Sequence, residues 1–326
     1  MEHQLADNKV AIVIAVYNDR DNIERAIRSA ADQHLPEGVS LEVIVVDDRS
    51  TDDTFKIASS VCAQIDHARV YQLAENGGPS CARNEALRQS DAAWYMPLDS
   101  DDALAPDRLR KLLETARAED ADIVADNLFI THSDQPFDIV RPLWPSKPQG
   151  MLTLNAAFFV RHCYDMLEER SELGYLKPLI SRKILKDPSA PYRSDLRFAE
   201  DYELYARLLL DGASAVLTDG FGYYFIQRDF SASRSQAGDE HRKVAMIDQA
   251  FLQRPDLTKE EQKAIKGHLA YSKKEWANWT MIEAAREKNV SKLLSACFIS
   301  WSAPLFLLQS IFRKVLPSKA EPNRSI

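Results

Sequence analysis

The regular alternation of buried strand patterns with helix patterns in the first 130 residues most strongly constrains how this chain can fold. Continuous apolar runs at 9–18 and 41–48 are typical of strands buried on both faces, and a segment with helical periodicity follows each. Further strand patterns recur at 69–73, 93–99 and 121–131. This order predicts an α/β fold, in which helices cover an open and mostly parallel sheet.

Acidic side chains gather where two of these predicted strands end. Asp47 and Asp48 close the second strand, and Asp99 and Asp101 follow the fourth. In open parallel sheets, ligands bind outside the carboxyl ends of the strands. Capping of the next helix explains the polar residues after Asp48 but not Asp47 and Asp48 themselves. The sequence therefore predicts a ligand site at this edge, where a carboxylate can accept from a ribose hydroxyl or a base N–H.

The acidic motif LDSDD, residues 98–102, predicts a metal site. Asp99 and Asp101 are two residues apart, so in an extended strand their side chains face the same side. Two converging carboxylates repel each other without a cation, and a few hard oxygen ligands suit Mg²⁺ or Mn²⁺ held jointly with substrate phosphates. Asp102 is predicted to stabilise the start of the next helix, which Pro106 opens. A helix-stabilising role for all three acids is the alternative.

Three other residue types are consistent with a nucleotide ligand. Tyr17, just after the first strand, can stack on a base, although a lone tyrosine is more often a packing residue. Gly77 and Gly78 let the backbone approach a ligand closely. Arg83, one turn into the following helix, can meet a phosphate. A plain turn followed by a surface arginine is the alternative for this segment.

The overall charge argues against a nucleic-acid partner. The chain has 326 residues and a formal net charge of −8, whereas a sequence-independent grip on nucleic acid needs a basic face. Its four cysteines are far apart, which predicts reduced thiols in a cytoplasmic protein. The first ten residues show no basic region followed by an apolar core, so no secretory signal is predicted.

The motifs AVYND, VVDDRSTDDT, NGGPSCARNEAL and LDSDDALAPDRL, in this order and at this spacing, resemble the inverting family 2 glycosyltransferases of the GT-A fold. The resemblance is strong over about residues 8–130 and continues more weakly to about 235. One departure is Ala15, where family members often have proline. Two later segments, LKPLISRKIL and LRFAEDYELYARLLLDGA, further resemble enzymes that build bacterial exopolysaccharides such as succinoglycan.

The resemblance implies a nucleotide-binding role for the early motifs and a GT-A fold with a Rossmann-like sheet. Tyr17 would stack on a uracil, and Asp48 would contact the base while Asp47 supports the site. Gly77 and Arg83 would lie close to the nucleotide. The donor implied by these roles is a UDP-sugar.

The resemblance also implies the catalytic parts. Asp99 would meet the ribose, and Asp101 would bind Mg²⁺ or Mn²⁺ on the diphosphate, where the metal neutralises charge on the UDP leaving group. An inverting transfer needs a base on the acceptor hydroxyl, and Asp201 in an acidic pair with Glu200 is the candidate. Glu200 is the alternative base or an acceptor ligand, and stabilisation of a helix start is the structural alternative. Arg228 would close over the diphosphate, unless its segment is a polar surface loop.

The predicted organisation has a catalytic domain and a helical extension. Residues 1–235 form the GT-A domain, with a nucleotide-sugar half at 1–130 and an acceptor half at 131–235. Residues 236–326 form a helical region. Its stretch 293–312 carries no charge and has basic flanks, which predicts a membrane-docking segment. A packed pair of helices and a true membrane span are the alternatives.

These observations predict transfer of a sugar, with glucose favoured, from a UDP-sugar to a lipid-linked oligosaccharide in bacterial exopolysaccharide biosynthesis. The reaction would take place at the cytoplasmic face of the inner membrane, with peripheral membrane contact. Another surface glycan, such as lipopolysaccharide or capsule, is one alternative product. A sugar nucleotidyltransferase is disfavoured, because AVYNDRDN lacks the glycine-rich loop of those enzymes. A non-catalytic nucleotide-sugar scaffold is disfavoured by the joint presence of Asp99, Asp101 and Asp201.

Overall fold

The computed structural model describes residues 6–132, 135–164, 171, 173–227 and 238–300. Two compact units make up the chain, Met1–Ser231 with Leu257–Ala264 and Ala232–Asp256 with Ile265–Ile326. The first unit holds the sheets and the predicted site residues, and the second is helical in its described part.

The strands, in chain order, are β1 (Ala6–Val16), β2 (Ser40–Asp47), β3 (Ala68–Gln72), β4 (Ala92–Asp99), β5 (Ala103–Leu104), β6 (Ile123–Asp126), β7 (Phe129–His132), β8 (Arg141–Pro142), β9 (Leu152–Thr153), β10 (Leu179–Ser181), β11 (Ala215–Thr218) and β12 (Tyr223–Gln227). The helices of the described residues are α1 (Ile23–Ala31), α2 (Thr54–Cys62), α3 (Pro79–Arg88), α4 (Arg108–Ala118), α5 (Ala156–Arg161), α6 (Glu200–Leu210), α7 (Gly238–Phe251), α8 (Lys259–Arg286) and α9 (Val290–Ile299). Short 3₁₀ turns occupy Leu173–Tyr175 and Arg182–Ile184.

The main sheet has eight strands in the order β3-β2-β1-β4-β10-β6-β11-β9. Strand β1 runs parallel to β2 and β4, β2 runs parallel to β3, and β6 runs parallel to β11. Strand β10 lies antiparallel between β4 and β6, and β9 is an antiparallel edge strand. The predicted α/β fold with a mostly parallel, Rossmann-like sheet is confirmed.

The apolar runs of the sequence form the centre of this sheet. In β1 the residues from Val10 to Ile14 are almost fully buried, as are those from Val43 to Val46 in β2, because helices cover both faces. Helix α1 buries Ile23, Ala26, Ile27 and Ala30, whose spacing places them on one face of the helix, and it packs on β1 and β2.

A second sheet, of order β5-β12-β7-β8, corrects one sequence prediction. The pattern at 121–131 predicts one strand, but the chain forms β6 in the main sheet and β7 in the second sheet. The side chain of Asn127, between the two strands, explains the break. Its amide donates to the Trp144 carbonyl (2.9 Å) and its oxygen accepts from the Trp144 N–H (3.0 Å), which holds the chain away from an extended path.

The second unit contains α7, most of α8, and α9. Asp248 of α7 is fully buried, and its carboxylate contacts His268 Nδ1 at 2.8 Å. Helix α9 packs through Ala296 against Ala277 and Met281. Among the described residues, no helix has both the length and the apolar composition needed to cross a membrane. Part of the predicted docking segment, 301–312, lies outside the described residues.

Candidate active site

The loops that follow β1, β2 and β4 meet at one edge of the main sheet, because these strands are adjacent and parallel. The backbone N–H of Asn18, after β1, donates to Ser50 Oγ after β2 (2.9 Å). Ser100 Oγ, after β4, donates to Asp19 Oδ2 (2.6 Å). The topology therefore brings together the acidic strand ends that the sequence places far apart.

Asp48 anchors the glycine turn that precedes α3. Its Oδ1 accepts from the Gly77 N–H (2.7 Å) and its Oδ2 from the Gly78 N–H (2.8 Å). Burial raises the pKa of Asp48, and the bonds from the two glycine amides oppose that rise. Gly78 has φ +86°, and a Cβ there would lie 2.9 Å from Arg197 Cγ, so the turn requires glycine. These contacts give Asp48 a structural task, and its predicted contact with a base stays a prediction.

Asp47 is fully buried and holds the loop after β2. Its Oδ2 accepts from the Ser50 N–H (2.9 Å) and from Gln72 Nε2 (2.8 Å). Because these donors lie in the loop after β2 and in the neighbouring β3, the carboxylate fixes the end of the strand. This placement is compatible with the supporting role implied by the resemblance, which remains a prediction.

Arg83 of α3 joins three predicted site residues. Its Nη2 lies 2.9 Å from Asp99 Oδ1 at the end of β4. Its Nη1 lies 2.7 Å from Glu200 Oε1 and 3.1 Å from Asp201 Oδ1, both in the first turn of α6. The guanidinium also lies over the Tyr192 ring, with 5.4 Å from Cζ to the ring centroid. Asp99 of the predicted nucleotide half and the acidic pair of the predicted acceptor half thus share one buried cation.

Lys177 makes a second link between Asp99 and Asp201, two of the three carboxylates that Arg83 contacts. It lies between the 3₁₀ turn at Leu173–Tyr175 and β10, and its side chain is 5% exposed. Its Nζ lies 3.0 Å from Asp99 Oδ2 and 2.6 Å from Asp201 Oδ2. We refer to Arg83, Asp99, Lys177, Glu200 and Asp201 together as the ion-pair cluster.

The ion-pair cluster carries an excess of negative charge. Three carboxylates face two cations, so the formal charge is −1 when all five groups are ionised. Burial alone would raise the pKa of Asp99, but the charges of Lys177 and Arg83 outweigh it and hold that pKa below its ordinary value. Burial raises the pKa of Glu200, with the charge of Arg83 opposing and that of Asp201 adding to the rise. The pKa values of Asp99 and Glu200 are therefore shifted in opposite directions within one cluster.

The three acids of LDSDD do not lie on one continuous strand, as the prediction for Asp99 and Asp101 assumed. Strand β4 ends at Asp99, and the Asp102 N–H donates to the Asp99 carbonyl (3.1 Å), so the segment turns there. Strand alternation therefore does not extend to Asp101. The predicted helix role of Asp102 is wrong, because its carboxylate accepts from the Tyr223 hydroxyl (2.7 Å) and the Ile226 N–H (2.9 Å) of β12.

The residues after β4 fit a divalent metal that is shared with a substrate. Asp101 is half-buried, and its backbone carbonyl accepts from Arg25 Nη2 of α1 (2.5 Å). Within the described ranges, no group of three or more His, Cys, Asp or Glu side chains is arranged to hold a metal. Mg²⁺ typically takes one or two protein carboxylates and completes its shell with phosphates and water. Asp101, two residues after the end of β4, supplies one carboxylate compatible with that pattern, and its role as a metal ligand stays a prediction.

Two predicted residues fall outside these contacts. Tyr17 follows β1 directly and is 49% exposed, so its ring is accessible at the edge where the strand-end loops meet. Arg228 lies outside the described residues.

Sequence reasoning missed Lys177 and Arg197. Lys177 stands in the segment LKPLISRKIL, where a lysine among apolar residues just before a short strand is the available signal. Arg197 is exposed and donates from Nη1 to Asn76 Oδ1 (2.7 Å) and from Nη2 to the Asn76 carbonyl (2.8 Å). It thereby places a positive charge beside the glycine turn that Asp48 holds.

Comparison with known proteins identifies close sequence relatives. A succinoglycan biosynthesis protein, ExoO of Rhizobium meliloti (strain 1021), is 34% identical over 245 residues, which are 75% of this chain and 68% of the relative. ExoU of the same organism, also a succinoglycan biosynthesis protein, is 32% identical over 263 residues, 81% of this chain and 75% of the relative.

A solved structure and a family model agree with these relatives. The crystal structure of S. aureus TarS 1-349 in complex with UDP-GlcNAc is 19% identical with a TM-score of 0.60, and the match covers 88% of this chain and 90% of that one. It shows the GT-A fold. The model described as glycosyl transferase family 2 matches residues 11–167. The predicted family and the predicted enzyme class are confirmed: this chain is a glycosyltransferase that belongs to glycosyl transferase family 2.

Proposed function

We propose that this glycosyltransferase transfers a sugar, with glucose as the first candidate, from a UDP-sugar to a lipid-linked oligosaccharide in exopolysaccharide biosynthesis. The observation that carries the proposal is the ion-pair cluster, which joins Asp99 of the nucleotide half to the acidic pair Glu200 and Asp201. The two relatives named for succinoglycan biosynthesis support the pathway. The UDP-GlcNAc in the TarS crystal supports a UDP-linked donor.

The donor would occupy the edge where the loops after β1, β2 and β4 meet. Tyr17 would stack on the uracil, and Asp48 with its glycine turn would face the base. Asp99 would take the ribose hydroxyls, and Asp101 would hold Mg²⁺ or Mn²⁺ on the diphosphate. When bound, the metal supplies positive charge that stabilises the departing UDP. Arg228 would bind the diphosphate, as its place in the motif QRDFSASRS implies.

The reaction would proceed with inversion, and Asp201 would be its base. The acceptor oxygen forms a bond to the anomeric carbon while the bond from that carbon to UDP breaks on the opposite face. The acceptor proton passes to Asp201, whose oxygens lie 2.6 Å from Lys177 Nζ and 3.1 Å from Arg83 Nη1. Glu200, bound through Oε1 to Arg83, would hold the acceptor.

The direct test of the donor and the acceptor is release of the nucleoside diphosphate (UDP, GDP or dTDP) by the full chain. A panel of nucleotide sugars is offered with a bacterial membrane lipid extract as acceptor, with and without Mg²⁺ or Mn²⁺. We expect UDP-glucose with a divalent metal to give the highest rate. Turnover with GDP-sugars or dTDP-sugars alone would contradict the proposed donor.

The role of Asp101 as the metal ligand is tested separately, by the variant Asp101→Ala. Asp101→Ala should lose metal-stimulated UDP release while the circular-dichroism spectrum of the fold stays unchanged. The matched control is Asp107→Ala, because Asp107 is a surface carboxylate at the start of α4 that pairs with His34 and Arg110. Full metal-stimulated activity in Asp101→Ala would remove Asp101 from the metal site.

Helix α9 supports membrane docking of the second unit. Val290, Leu294 and Phe298 recur every four residues along one side of the helix and are 68%, 60% and 90% exposed. An apolar side exposed on a helix, followed in sequence by the uncharged stretch 301–312 and then by Arg313 and Lys314, fits the cytoplasmic face of an anionic membrane. We propose this face as the place of the enzyme, with a peripheral contact.

The docking proposal is tested by sedimentation with vesicles of phosphatidylglycerol and phosphatidylethanolamine. The double variant Leu294→Glu with Phe298→Glu should bind these vesicles more weakly than the wild type. The control is Ser291→Glu with Ser295→Glu, which adds the same charge at exposed positions of the same helix. Equal loss in both double variants would mean that charge, and not the apolar side, governs binding.

The division of the chain is also proposed. Residues 1–235 would form the catalytic domain, with nucleotide and acceptor halves at 1–130 and 131–235, and residues 236–326 would form the membrane-facing helical region. Limited proteolysis followed by mass spectrometry would test the boundary near 235.

A further inference from the structure

Lys177 is a buried lysine whose ammonium group is paired with two carboxylates. It is 5% exposed, although burying an ammonium group is costly unless it is paired. It is paired on both sides, at 3.0 Å from Asp99 Oδ2 and 2.6 Å from Asp201 Oδ2. Its two partners come from different parts of the chain, the end of β4 and the first turn of α6.

The backbone of Lys177 is fixed independently of its side chain. Arg108 Nη2 donates to the Lys177 carbonyl (2.7 Å), and Arg108 itself is fully buried and paired with Asp126 (2.6 Å). The lysine stem therefore starts from a rigid point, and the ammonium has little freedom to leave the two carboxylates. A long side chain held in this way can set the distance between the groups that it bridges.

We propose that Lys177 is a positioning residue of the transfer reaction, whose ammonium fixes Asp201 relative to the donor-side carboxylate Asp99. The inference rests on the proposed function, in which Asp99 meets the donor and Asp201 takes the acceptor proton. Lys177 acts through Asp201 and does not itself take part in bond making. Arg83 bridges the same carboxylates through other oxygens, so Asp99 and Asp201 are each held at both oxygen atoms.

This double bridge has a catalytic consequence. A base must lie within hydrogen-bond reach of the acceptor hydroxyl when the donor is in place, and a displacement of about 1 Å can cost about 10²-fold in rate. Lys177 relates the position of Asp201 to the residue that faces the donor. Loss of the ammonium would leave Asp201 held by Arg83 alone and would raise the excess negative charge of the cluster.

The test compares four forms of the full chain: wild type, Lys177→Met, Asp201→Asn and the double variant. UDP release from UDP-glucose with the membrane lipid extract gives kcat and KM, and calorimetry gives the affinity for UDP. We expect Lys177→Met to lower kcat by about 10²-fold, with a much smaller change in the KM for UDP-glucose. Lys177→Arg should recover part of kcat, because a guanidinium can bridge two carboxylates.

The double variant separates positioning from a general structural role. In the Asp201→Asn background, Lys177→Met should change kcat by less than about threefold, because the group through which Lys177 acts is already lost. The double variant loses one positive and one negative charge, so the cluster keeps its formal charge of −1, and thermal unfolding is compared for all forms. Lys183→Met is the matched control, because Lys183 is an exposed lysine that pairs with Asp122, and its kcat should equal that of the wild type.

The outcomes are distinct. Absence of UDP release by the wild type would overturn the proposed function and, with it, the positioning role that rests on it. Wild-type kcat in Lys177→Met would overturn the positioning role while the proposed function stands. An equal loss in the Asp201 and Asp201→Asn backgrounds, or no recovery in a folded Lys177→Arg, would also overturn it.

Discussion

Two buried arginine–carboxylate arrangements among the described residues differ in charge and exposure. Arg108 and Asp126 form a single pair with 2.6 Å between Nη2 and Oδ1, and both side chains are 0% exposed. The ion-pair cluster around Arg83 has one carboxylate in excess, and its Asp99 side chain is 28% exposed. Both arrangements lie in the first unit, and Lys177 contacts both, through its carbonyl and through its ammonium.

The difference separates a structural ion pair from a site. The Arg108–Asp126 pair has equal positive and negative charge, and neither side chain is exposed to solvent. Arg108 Cζ also lies 5.1 Å from the centroid of the Tyr223 ring, so the pair is enclosed by protein and does not face a ligand. The ion-pair cluster is unbalanced and opens at Asp99, where the loops of the parallel strands meet. Burial of an arginine with an acid therefore does not by itself indicate function. An excess of negative charge at the carboxyl edge of the sheet is the better indication of a site.

The largest expected effect comes from removing the proposed base. Asp201→Asn should lower kcat by about 10²- to 10⁴-fold, since it abolishes proton transfer, while the affinity for UDP measured by calorimetry changes little. Glu200→Gln is the comparison, and its main effect should be on the KM for the acceptor. If Glu200→Gln shows the larger loss in kcat, the two roles are exchanged. If UDP affinity collapses in Asp201→Asn, the residue belongs to the donor site.

The Arg108–Asp126 pair should respond in stability instead. Arg108→Met leaves Asp126 buried without its cation, and the free energy of unfolding should fall by about 3–5 kcal/mol in urea denaturation. The double variant Arg108→Met with Asp126→Asn removes the uncompensated charge and should recover part of the loss. A fall below about 1 kcal/mol for the single variant would contradict the distinction between the two arrangements.

A dependence of stability on pH is expected at Asp102, which lies beside the site but faces β12. Burial, followed by the charges of Asp101 and Asp99, raises its pKa well above the ordinary value. A raised pKa in the folded state adds stability that is complete below the unfolded pKa of about 4 and is lost as the pH rises. Asp102→Asn cannot ionise, so its free energy of unfolding relative to the wild type should increase with pH, by at most about 1.4 kcal/mol per unit.

The pH series is measured by urea denaturation between about pH 5 and about pH 8. Asp107→Asn, at an exposed carboxyl, serves as the control and should stay parallel to the wild type. A constant difference between Asp102→Asn and the wild type across the series would mean that Asp102 is already ionised throughout this range.

The strands and helices of residues 8–130 can be predicted from sequence because their signals are local. The apolar runs that form β1 and β2 are directly followed in sequence by polar or acidic residues. This change in composition marks the end of each strand. Local reasoning went wrong where a partner lies far along the chain. The sequence assigns Asp102 to the start of α4, but its donors Tyr223 and Ile226 are more than a hundred residues away. The strand predicted at 121–131 divides because Asn127 bonds to Trp144.

By itself, the sequence determined the α/β class, the family, and the acids that end the two strands β2 and β4. It could do so because strand and helix periodicity and motif spacing are carried by neighbouring residues. Only the tertiary structure decided which charges meet. Lys177 bridges Asp99 and Asp201 because β10 pairs with β4 and α6 begins beside them, and electrostatic pairing across such separations depends on distances that no local pattern encodes.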